Sequence, residues 1–436
     1  MSSTLSKILL AVGLMARHAT PAPTASTVEA RQDGQRLVFA HYMVGLTYGQ
    51  TAEKWRADVA EARAAGIDGF ALNAGAADDY NDVQLPQAYE AAESVPGFKV
   101  FISFDQAASS WSPDQVVARV RQFRDSPAQF KINGLPVVST FEGPDWAGNW
   151  AQVRAETGGV YLIPDWSSLG PQGVAGRLNI IDGAFNWGAW PNANSDQITT
   201  DADRQYQQVL GDKSYMMGVS PYFYTNLRGP NWSKNWYSSS DSLWFDRWKQ
   251  VLEILPDYVQ IITWNDYGES SYINEPTPAQ IYPGAEIYVN GFSHKAFQFV
   301  LPYFISAYKA GTANVPLPAE GAVAWYRTTP KNVCSDGGTV WGQSGTQSAT
   351  LGTQDIVSVI ALSNSRRDIT VSIGGVSSTV SPIDSFGSAY YYEVPFNGRT
   401  GPVTVSAGGR STTGPGITNS CPAVGRVNFN SVAIQV

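Results

Sequence analysis

Two carboxylates, Asp266 and Glu269, are the residues of this 436-residue chain best placed for acid–base chemistry. They lie three positions apart in residues 264–270, where Gly268 loosens the backbone between them. Both can therefore turn toward one cleft while standing several ångströms apart. Glycoside hydrolysis needs this arrangement, because one carboxylic acid protonates the leaving oxygen while one carboxylate activates water or attacks carbon. The competing interpretation is that Asp266 caps a helix or makes a loop turn and Glu269 is a solvated charge.

Polar and aromatic side chains follow the apolar runs of the chain, where parallel strands would end. Active-site groups of a (β/α)8 barrel come from these strand ends. Asp105 is a candidate third acid, and Glu142 and Asp165 end two further strands. The candidates for substrate binding are His41, Asn73, Trp166, Asn186, Trp187, Trp190, Tyr222, Tyr224, Trp264, Asn265 and Tyr267.

Aromatic planes beside Asp, Asn and Gln suit sugars, because a sugar ring presents C–H groups on its faces and hydroxyls at its edges. Taken singly, most such rings belong to a protein core. Five of them are nevertheless expected to be partly exposed and to face one groove over strands three to eight. They are Trp187, Trp190, Tyr222, Tyr224 and Trp264.

Eight short apolar runs must position these side chains. They are residues 37–43, 69–73, 99–105, 136–141, 161–164, 183–187, 215–220 and 259–264. Helical patterns separate them, and this alternation indicates a parallel sheet. Thr51 is predicted to cap a helix that Gly66 ends, and Ser112 begins a capping box with Gln115. Because eight βα units close a barrel, an α/β fold is predicted, with a (β/α)8 TIM barrel over residues 36–311.

The pattern changes after residue 311. Residues 312–321 are rich in Ala and Pro and indicate a linker. Short β-branched runs punctuated by turn residues then predict a C-terminal all-β sandwich domain over residues 322–436. Cys334 and Cys421, the only two cysteines, are predicted to form a disulfide.

The N-terminus has the layout of a secretory leader. Lys7 precedes the apolar run of residues 8–16, and small and Pro-rich residues follow. Residues 1–31 are therefore predicted to be a signal peptide and pro-segment, with a disordered tail as the alternative. The mature protein is expected outside the cell or in a cell wall. Asn231 begins an Asn-Trp-Ser glycosylation acceptor.

The composition of the chain limits the classes of partner that it is expected to bind. The net charge of −8 and the pI near 5.0 argue against nucleic acid and against an anionic membrane. Aromatic residues make up 12% and charged residues 15%, which favours a neutral partner that contacts rings. Three histidines and two cysteines leave little for a zinc site, so neither metal nor cofactor is expected. A monomer is expected.

Four ordered segments, residues 38–45, 65–73, 220–226 and 264–270, resemble the fungal α-1,3-glucanases, or mutanases, of glycoside hydrolase family 71. The likeness spans nearly everything from Arg36 to the C-terminus. It implies an endo-acting hydrolase of α-1,3-glucan that works with inversion, with Asp266 and Glu269 as the catalytic pair and Asp105 as a third acid. Two positions depart from the family pattern: Ser271 stands where His is common, and Tyr222 where Trp is common.

The roles within the pair are predicted from burial. Glu269 is expected to be the general acid and Asp266 the base, with the wide separation of an inverting enzyme, roughly 6.5–9.5 Å. Two alternatives stay open: a barrel glycosidase for another glucan linkage, and a carbohydrate-binding protein on the scaffold of a retired hydrolase. The second predicts loss of a catalytic acid, whereas Asp266, Glu269 and Asp105 are all present.

Overall fold

The computed structural model describes residues 35–191, 197–228, 233–338 and 348–436. The predicted leader at 1–31 and the acceptor Asn231 lie outside these residues. The first part contains the strands β1 (Leu37–Met43), β2 (Gly69–Gly75), β3 (Lys99–Asp105), β4 (Lys131–Ile132), β5 (Leu135–Phe141), β6 (Tyr161–Leu162), β7 (Gly183–Asn186), β8 (Ser214–Val219), β9 (Tyr224–Arg228), β10 (Ser233–Tyr237) and β11 (Tyr258–Ile261). Its helices are α1 (Ala52–Ala64), α2 (Asn81–Glu93), α3 (Pro113–Phe123), α4 (Trp150–Thr157), α5 (Gly170–Ala175), α6 (Asp201–Leu210), α7 (Leu243–Ile254), α8 (Glu286–Val289) and α9 (Leu301–Ala310).

A curled, mostly parallel sheet organises this part into a mixed α/β fold. Parallel pairing joins its strands in the order β5, β3, β2, β1, β11, β8 and β7. The short strand β6 pairs with β5, and single parallel bridges connect Asp165 to Phe141 and to Phe185. Each of the eight predicted strands is present, with ends within three residues of the expected positions. The hairpin of β9 and β10 and the short β4 were not predicted.

The predicted helix starts are confirmed. The hydroxyl of Thr51 accepts the amide of Lys54 at 3.3 Å. At α3 the hydroxyl of Ser112 accepts the amide of Gln115, and the Gln115 side chain accepts the amide of Ser112 at 2.8 Å. These bonds satisfy backbone donors that a helix leaves open at its first turn. They fix where the loops end and the helices begin.

The C-terminal part is built from two antiparallel sheets. Its elements are β12 (Gly321–Tyr326), α10 (Ala349–Gly352), β13 (Ile356–Leu362), β14 (Ile369–Ile373), β15 (Val376–Val380), β16 (Asp384–Phe386), β17 (Ala389–Pro395), β18 (Gly401–Ala407), β19 (Arg410–Ile417) and β20 (Val432–Gln435). The strand orders are β16-β17-β13-β12-β20 and β15-β14-β18-β19. Val357 and Val359 of one sheet share a buried apolar cluster with Val371 and Val403 of the other. The one-turn helix α10 was not predicted.

The two parts are joined closely, and residues 35–436 form one compact unit. The predicted disulfide is confirmed, with 2.11 Å between the sulfurs of Cys334 and Cys421. Residues 427–431, which precede β20, lie against the first part. There the Phe429 carbonyl accepts the hydroxyl of Tyr222 at 2.6 Å. No helix among the described residues is long and apolar enough to cross a membrane.

Candidate active site

The loop after β11 presents Asp266 and Glu269 at the surface. Of residues 262–274, all of which the structure describes, only these two have partly exposed side chains. The amide of Glu269 donates to Oδ1 of Asp266 at 3.0 Å, and the amide of Asp266 donates to Oγ1 of Thr263 at 2.7 Å. The two carboxylates are thus fixed on one turn, and a buried frame surrounds them.

A lysine that the sequence analysis did not single out contacts this pair. Lys234 lies on β10, opposite Leu227 of β9, and its Nζ is 2.9 Å from Oε1 of Glu269. Burial acts to lower the pKa of Lys234, but the Glu269 carboxylate outweighs it and raises that pKa. The ammonium therefore stays charged and stabilises the negative charge of Glu269.

Asp266 has the opposite environment. Burial, and next the negative charge of Glu269, raise the pKa of Asp266 well above its usual range, and Lys234 opposes this only in part. A carboxyl whose pKa is raised holds its proton at mildly acidic pH. The electrostatics therefore favour Asp266 as the protonated partner of the pair. This is the reverse of the roles expected from the sequence.

Asp105 ends β3, and the sheet order places β2 and β1 between β3 and β11. Its Oδ2 accepts Nδ2 of Asn73 at 3.1 Å, and its Oδ1 accepts the amides of Ala107 and Ala108 at 2.9 and 2.8 Å. Among the described residues, Oδ1 of Asn73 has no hydrogen-bond partner. Asp105 and Asn73 therefore form one polar unit at the same end of the sheet as the Asp266 loop.

Two further acids, Asp165 and Glu142, lie in the segments that follow β6 and β5. Burial is the main cause that raises the pKa of Asp165 to about 8, although Ser167 donates to this carboxyl from its amide at 3.0 Å. Oδ2 of Asp165 has no partner among the described residues. Glu142 is less buried and accepts the amide of Ser168 at 3.0 Å. Asp165 is therefore a neutral acid inside the fold near neutral pH.

His41 lies in the interior of the sheet beneath Trp187. Its Nδ1 is 2.9 Å from Nε2 of Gln260, and its Nε2 has no partner within the described part of the chain. Burial lowers the pKa of His41 to about 3, so the ring is neutral. Trp187 packs edge-to-face on it with 4.8 Å between the ring centroids and keeps one side partly exposed. A buried nitrogen without a partner among the described residues thus lies beside a partly exposed tryptophan.

Residues 34–436 match the sequence profile of Glycosyl hydrolase family 71. The chain belongs to this family. It is 35% identical over 418 residues to a glucan endo-1,3-alpha-glucosidase of Schizosaccharomyces pombe, with 92% of this chain and 94% of that protein covered. It is also 34% identical to a mutanase of Penicillium rubens, with 90% and 86% covered. The resemblance stated from the sequence is confirmed.

Among solved structures, the chain matches a GH99 endo-alpha-mannosidase from Bacteroides thetaiotaomicron at a TM-score of 0.49 and 15% identity. That match covers 63% of this chain and 98% of the mannosidase.

The expected exposure of the aromatic candidates is wrong for most of them in this family 71 chain. Tyr222, Tyr224, Trp264, Trp166 and Trp190 are all buried. Each of the two tyrosine hydroxyls donates a hydrogen bond to a backbone carbonyl, and these bonds hold the tyrosine rings inside the fold.

Tyr222 bonds to the Phe429 carbonyl, and Tyr224 bonds to the Val427 carbonyl at 3.3 Å. These rings hold residues 427–431 against the sheet. Trp264 packs on Phe70 with 5.3 Å between the centroids. The expected exposure of Tyr222, Tyr224 and Trp264 is therefore wrong. Of the five rings expected to line one groove, only Trp187 is partly exposed.

Three polar candidates also contact other parts of the protein: Asn265, Tyr267 and Asn186. Oδ1 of Asn265 accepts the amide of Met43 at 2.8 Å, and its Nδ2 donates to the Met43 carbonyl at 3.3 Å, as a neighbouring strand would. Tyr267 is buried in the loop. Oδ1 of Asn186 accepts the amide of Gly188 at 2.9 Å. These contacts position loops, and the binding role expected of the three side chains stays a prediction.

Among the described residues, no three His, Cys, Asp or Glu side chains are grouped so that they could hold a metal ion. Sequence reasoning missed Lys234, and it placed Asp165 at a strand end without assigning it a role. Lys234 gave no signal, because it lies in a hairpin that the strand pattern did not predict.

Proposed function

We propose that this chain is an endo-acting hydrolase of α-1,3-glucan that uses Asp266 and Glu269 as acid and base. The observation that carries the proposal is the pair of partly exposed carboxylates on one buried loop, of which one is held by Lys234. The names of the family 71 relatives, which align over nine-tenths of the chain, support the substrate.

The chemistry follows from the two environments. Asp266 protonates the glycosidic oxygen as the bond from C1 to that oxygen breaks. Glu269 takes a proton from the water whose oxygen forms the new bond to C1. Because burial raises the pKa of Asp266 while the Lys234 ammonium contacts Glu269, Asp266 is assigned as the acid and Glu269 as the base. After the step Asp266 has lost a proton and Glu269 has gained one, and proton exchange with solvent restores both groups before the next turnover.

The mechanism is proposed to invert the anomeric carbon. Inversion needs room for water between the base and the sugar, with the carboxyl groups roughly 6.5–9.5 Å apart. The side chains of Asp266 and Glu269 are joined through a backbone amide and not to each other, which is compatible with such a gap.

The sugar next to the cleaved bond is proposed to contact His41, Asn73, Asp105 and Trp187. His41 and Asn73 each have a buried polar atom without a partner in the described residues, and Trp187 offers an accessible ring face. A sugar hydroxyl can donate to or accept from such atoms, so binding would satisfy groups that are costly to leave unpaired.

The fold of the first part is proposed to be a closed (β/α)8 barrel, followed by a β-sandwich. The bridges from Asp165 to Phe141 and Phe185 support closure, because they run between β5 and β7 at the two ends of the parallel order. The apolar cluster shared by the two C-terminal sheets supports the sandwich.

The protein is proposed to act outside the cell or in the cell wall. The disulfide between Cys334 and Cys421 supports this, because such bonds persist in oxidising compartments. The leader pattern of the N-terminal residues points the same way.

Release of reducing sugar from α-1,3-glucan, compared with cellulose, starch and β-1,3-glucan, tests the proposed function. We expect release from α-1,3-glucan only. If sugar is released only from another glucan, the enzyme cleaves a different linkage from the one proposed. Binding without release from any of the four would favour a carbohydrate-binding protein.

A further inference from the structure

Two tyrosines stand out among the described residues because their rings face solvent. Tyr48 is 77% exposed and Tyr282 is 41% exposed, and the other large exposed apolar side chains of the described chain are all aliphatic. Removing the apolar surface of an aromatic ring from water is favourable, and a ring that stays exposed does not gain this free energy. Two such rings near one site therefore call for an explanation.

Both rings lie at the end of the sheet that carries the carboxylates. Tyr48 follows β1 and Tyr282 follows β11, and these two strands pair in parallel. Loops that leave neighbouring parallel strands emerge at the same end of the sheet. A Cβ built on Gly268 would stand 4.0 Å from a side-chain atom of Tyr282, so this tyrosine borders the loop of Asp266 and Glu269.

The two loops are tied to each other and held firmly. The side chains of Gln50 and Gln280 are hydrogen-bonded across the gap between them. Tyr48 packs edge-to-face on Tyr80 with 5.7 Å between the centroids, and the hydroxyl of Tyr80 donates to the Gly45 carbonyl at 2.7 Å. The rings are therefore presented by ordered turns and remain exposed.

The surroundings of these rings suit a neutral, hydroxyl-rich ligand. Residues 43–50, 75–87 and 264–291 contain no Lys or Arg, which disfavours an anionic ligand. Asp78 and Asp79 stand beside Tyr80 and can accept hydroxyl hydrogen bonds, while the ring faces can stack on sugar C–H groups. The same loops continue directly into the carboxylate site.

We propose that Tyr48 and Tyr282 form a distal binding strip for the glucan chain, beyond the sugars at the cleaved bond. This inference rests on the proposed function. It assigns a second place on the surface where the polymer binds. The strip gives the enzyme extra affinity for long or insoluble chains, because such a chain can contact both rings as well as the carboxylates.

Depletion of protein from solution by insoluble α-1,3-glucan tests the strip without requiring turnover. The full chain carrying Asp266→Asn is compared with the same chain also carrying Tyr48→Ala and Tyr282→Ala. We expect the dissociation constant for the polymer to rise about tenfold, as the loss of two ring contacts predicts. Tyr48→Phe, which keeps the ring, should retain binding.

The matched control is Ile383→Ala, which removes an apolar side chain that is 62% exposed in the C-terminal part. It should leave polymer binding unchanged. In active protein, the double tyrosine variant should also lower the ratio of polymer to short-oligosaccharide hydrolysis. Unchanged polymer binding by the double variant, an equal loss with Ile383→Ala, or no binding by the parent chain would overturn the strip. Failure of the wild type to release sugar would instead count against the proposed function.

Discussion

Nζ of Lys234 lies 2.9 Å from Oε1 of Glu269 and connects the β9–β10 hairpin to the loop after β11. The contact makes the two carboxylates of that loop unequal. Glu269 faces a cation, whereas Asp266 is desolvated and faces Glu269. Pairs of acids whose environments differ in this way can divide the roles of proton donor and proton acceptor.

Substitution of either carboxylate should remove turnover while leaving binding. Asp266→Asn and Glu269→Gln keep the shape of the loop but cannot transfer the proton, so kcat should fall by roughly 10²- to 10⁴-fold. Sugar release measures kcat, and depletion by insoluble glucan measures binding. A variant that keeps more than half of the wild-type rate would remove that residue from the mechanism.

Removal of the lysine charge should change the pH profile. In Lys234→Met the Glu269 carboxylate loses its cation and accepts a proton more readily, so the acidic limb of kcat/KM should move to higher pH. Lys234→Arg keeps the charge and should restore the limb. The alkaline limb, where Asp266 loses its proton, should also move to higher pH, because Lys234 lowers the pKa of Asp266 in the wild type. Equal profiles for the three proteins would show that Lys234 is only structural.

The strand pattern predicted the sheet well because the features that form the strands and helices are local in the sequence. Apolar runs such as residues 99–105 are buried on both faces, and the Ser112 capping box is complete within four residues. The hairpin of β9 and β10 escaped prediction, since its register depends on pairing across a turn. Lys234 was missed with it.

The exposure of the aromatic candidates could not be predicted from the strand pattern. Trp187 and Trp264 both follow a strand, yet one is partly exposed and the other is buried. What decides this is packing by distant segments, such as residues 427–431 against Tyr222 and Tyr224. A strand end predicts the position of a residue but not which side chain later segments cover.

The buried acid Asp165 should make stability depend on pH. Its pKa is about 8 in the fold, against about 3.9 in an unfolded chain. A raised pKa contributes stability below the unfolded value that is lost as pH rises through the folded value. The Tm of the wild type should thus fall from about pH 4 toward pH 8, and more steeply than that of Asp165→Asn.

The control for this effect is Asp125→Asn, because the Asp125 side chain is 91% exposed. Its Tm should follow the wild type across the same pH range, as measured by thermal unfolding. Parallel curves for Asp165→Asn and Asp125→Asn would contradict a neutral buried Asp165.

Loss of the disulfide should lower stability without removing the site. Cys334 and Cys421 are separated by 87 residues, and closing so long a loop stabilises the fold by up to about 4 kcal/mol through the unfolded state. The double variant Cys334→Ser, Cys421→Ser should unfold at lower denaturant, measured by tryptophan fluorescence. A reduced wild type serves as control. An unchanged midpoint for both would refute the prediction.

Proton NMR of α-1,3-glucan hydrolysis tests the central claim most directly, because it reports turnover and stereochemistry together. With the wild type we expect the β anomer to appear first and to mutarotate later, and with Asp266→Asn we expect no product on the same timescale. First appearance of the α anomer, or product formation by Asp266→Asn at the wild-type rate, would contradict the account.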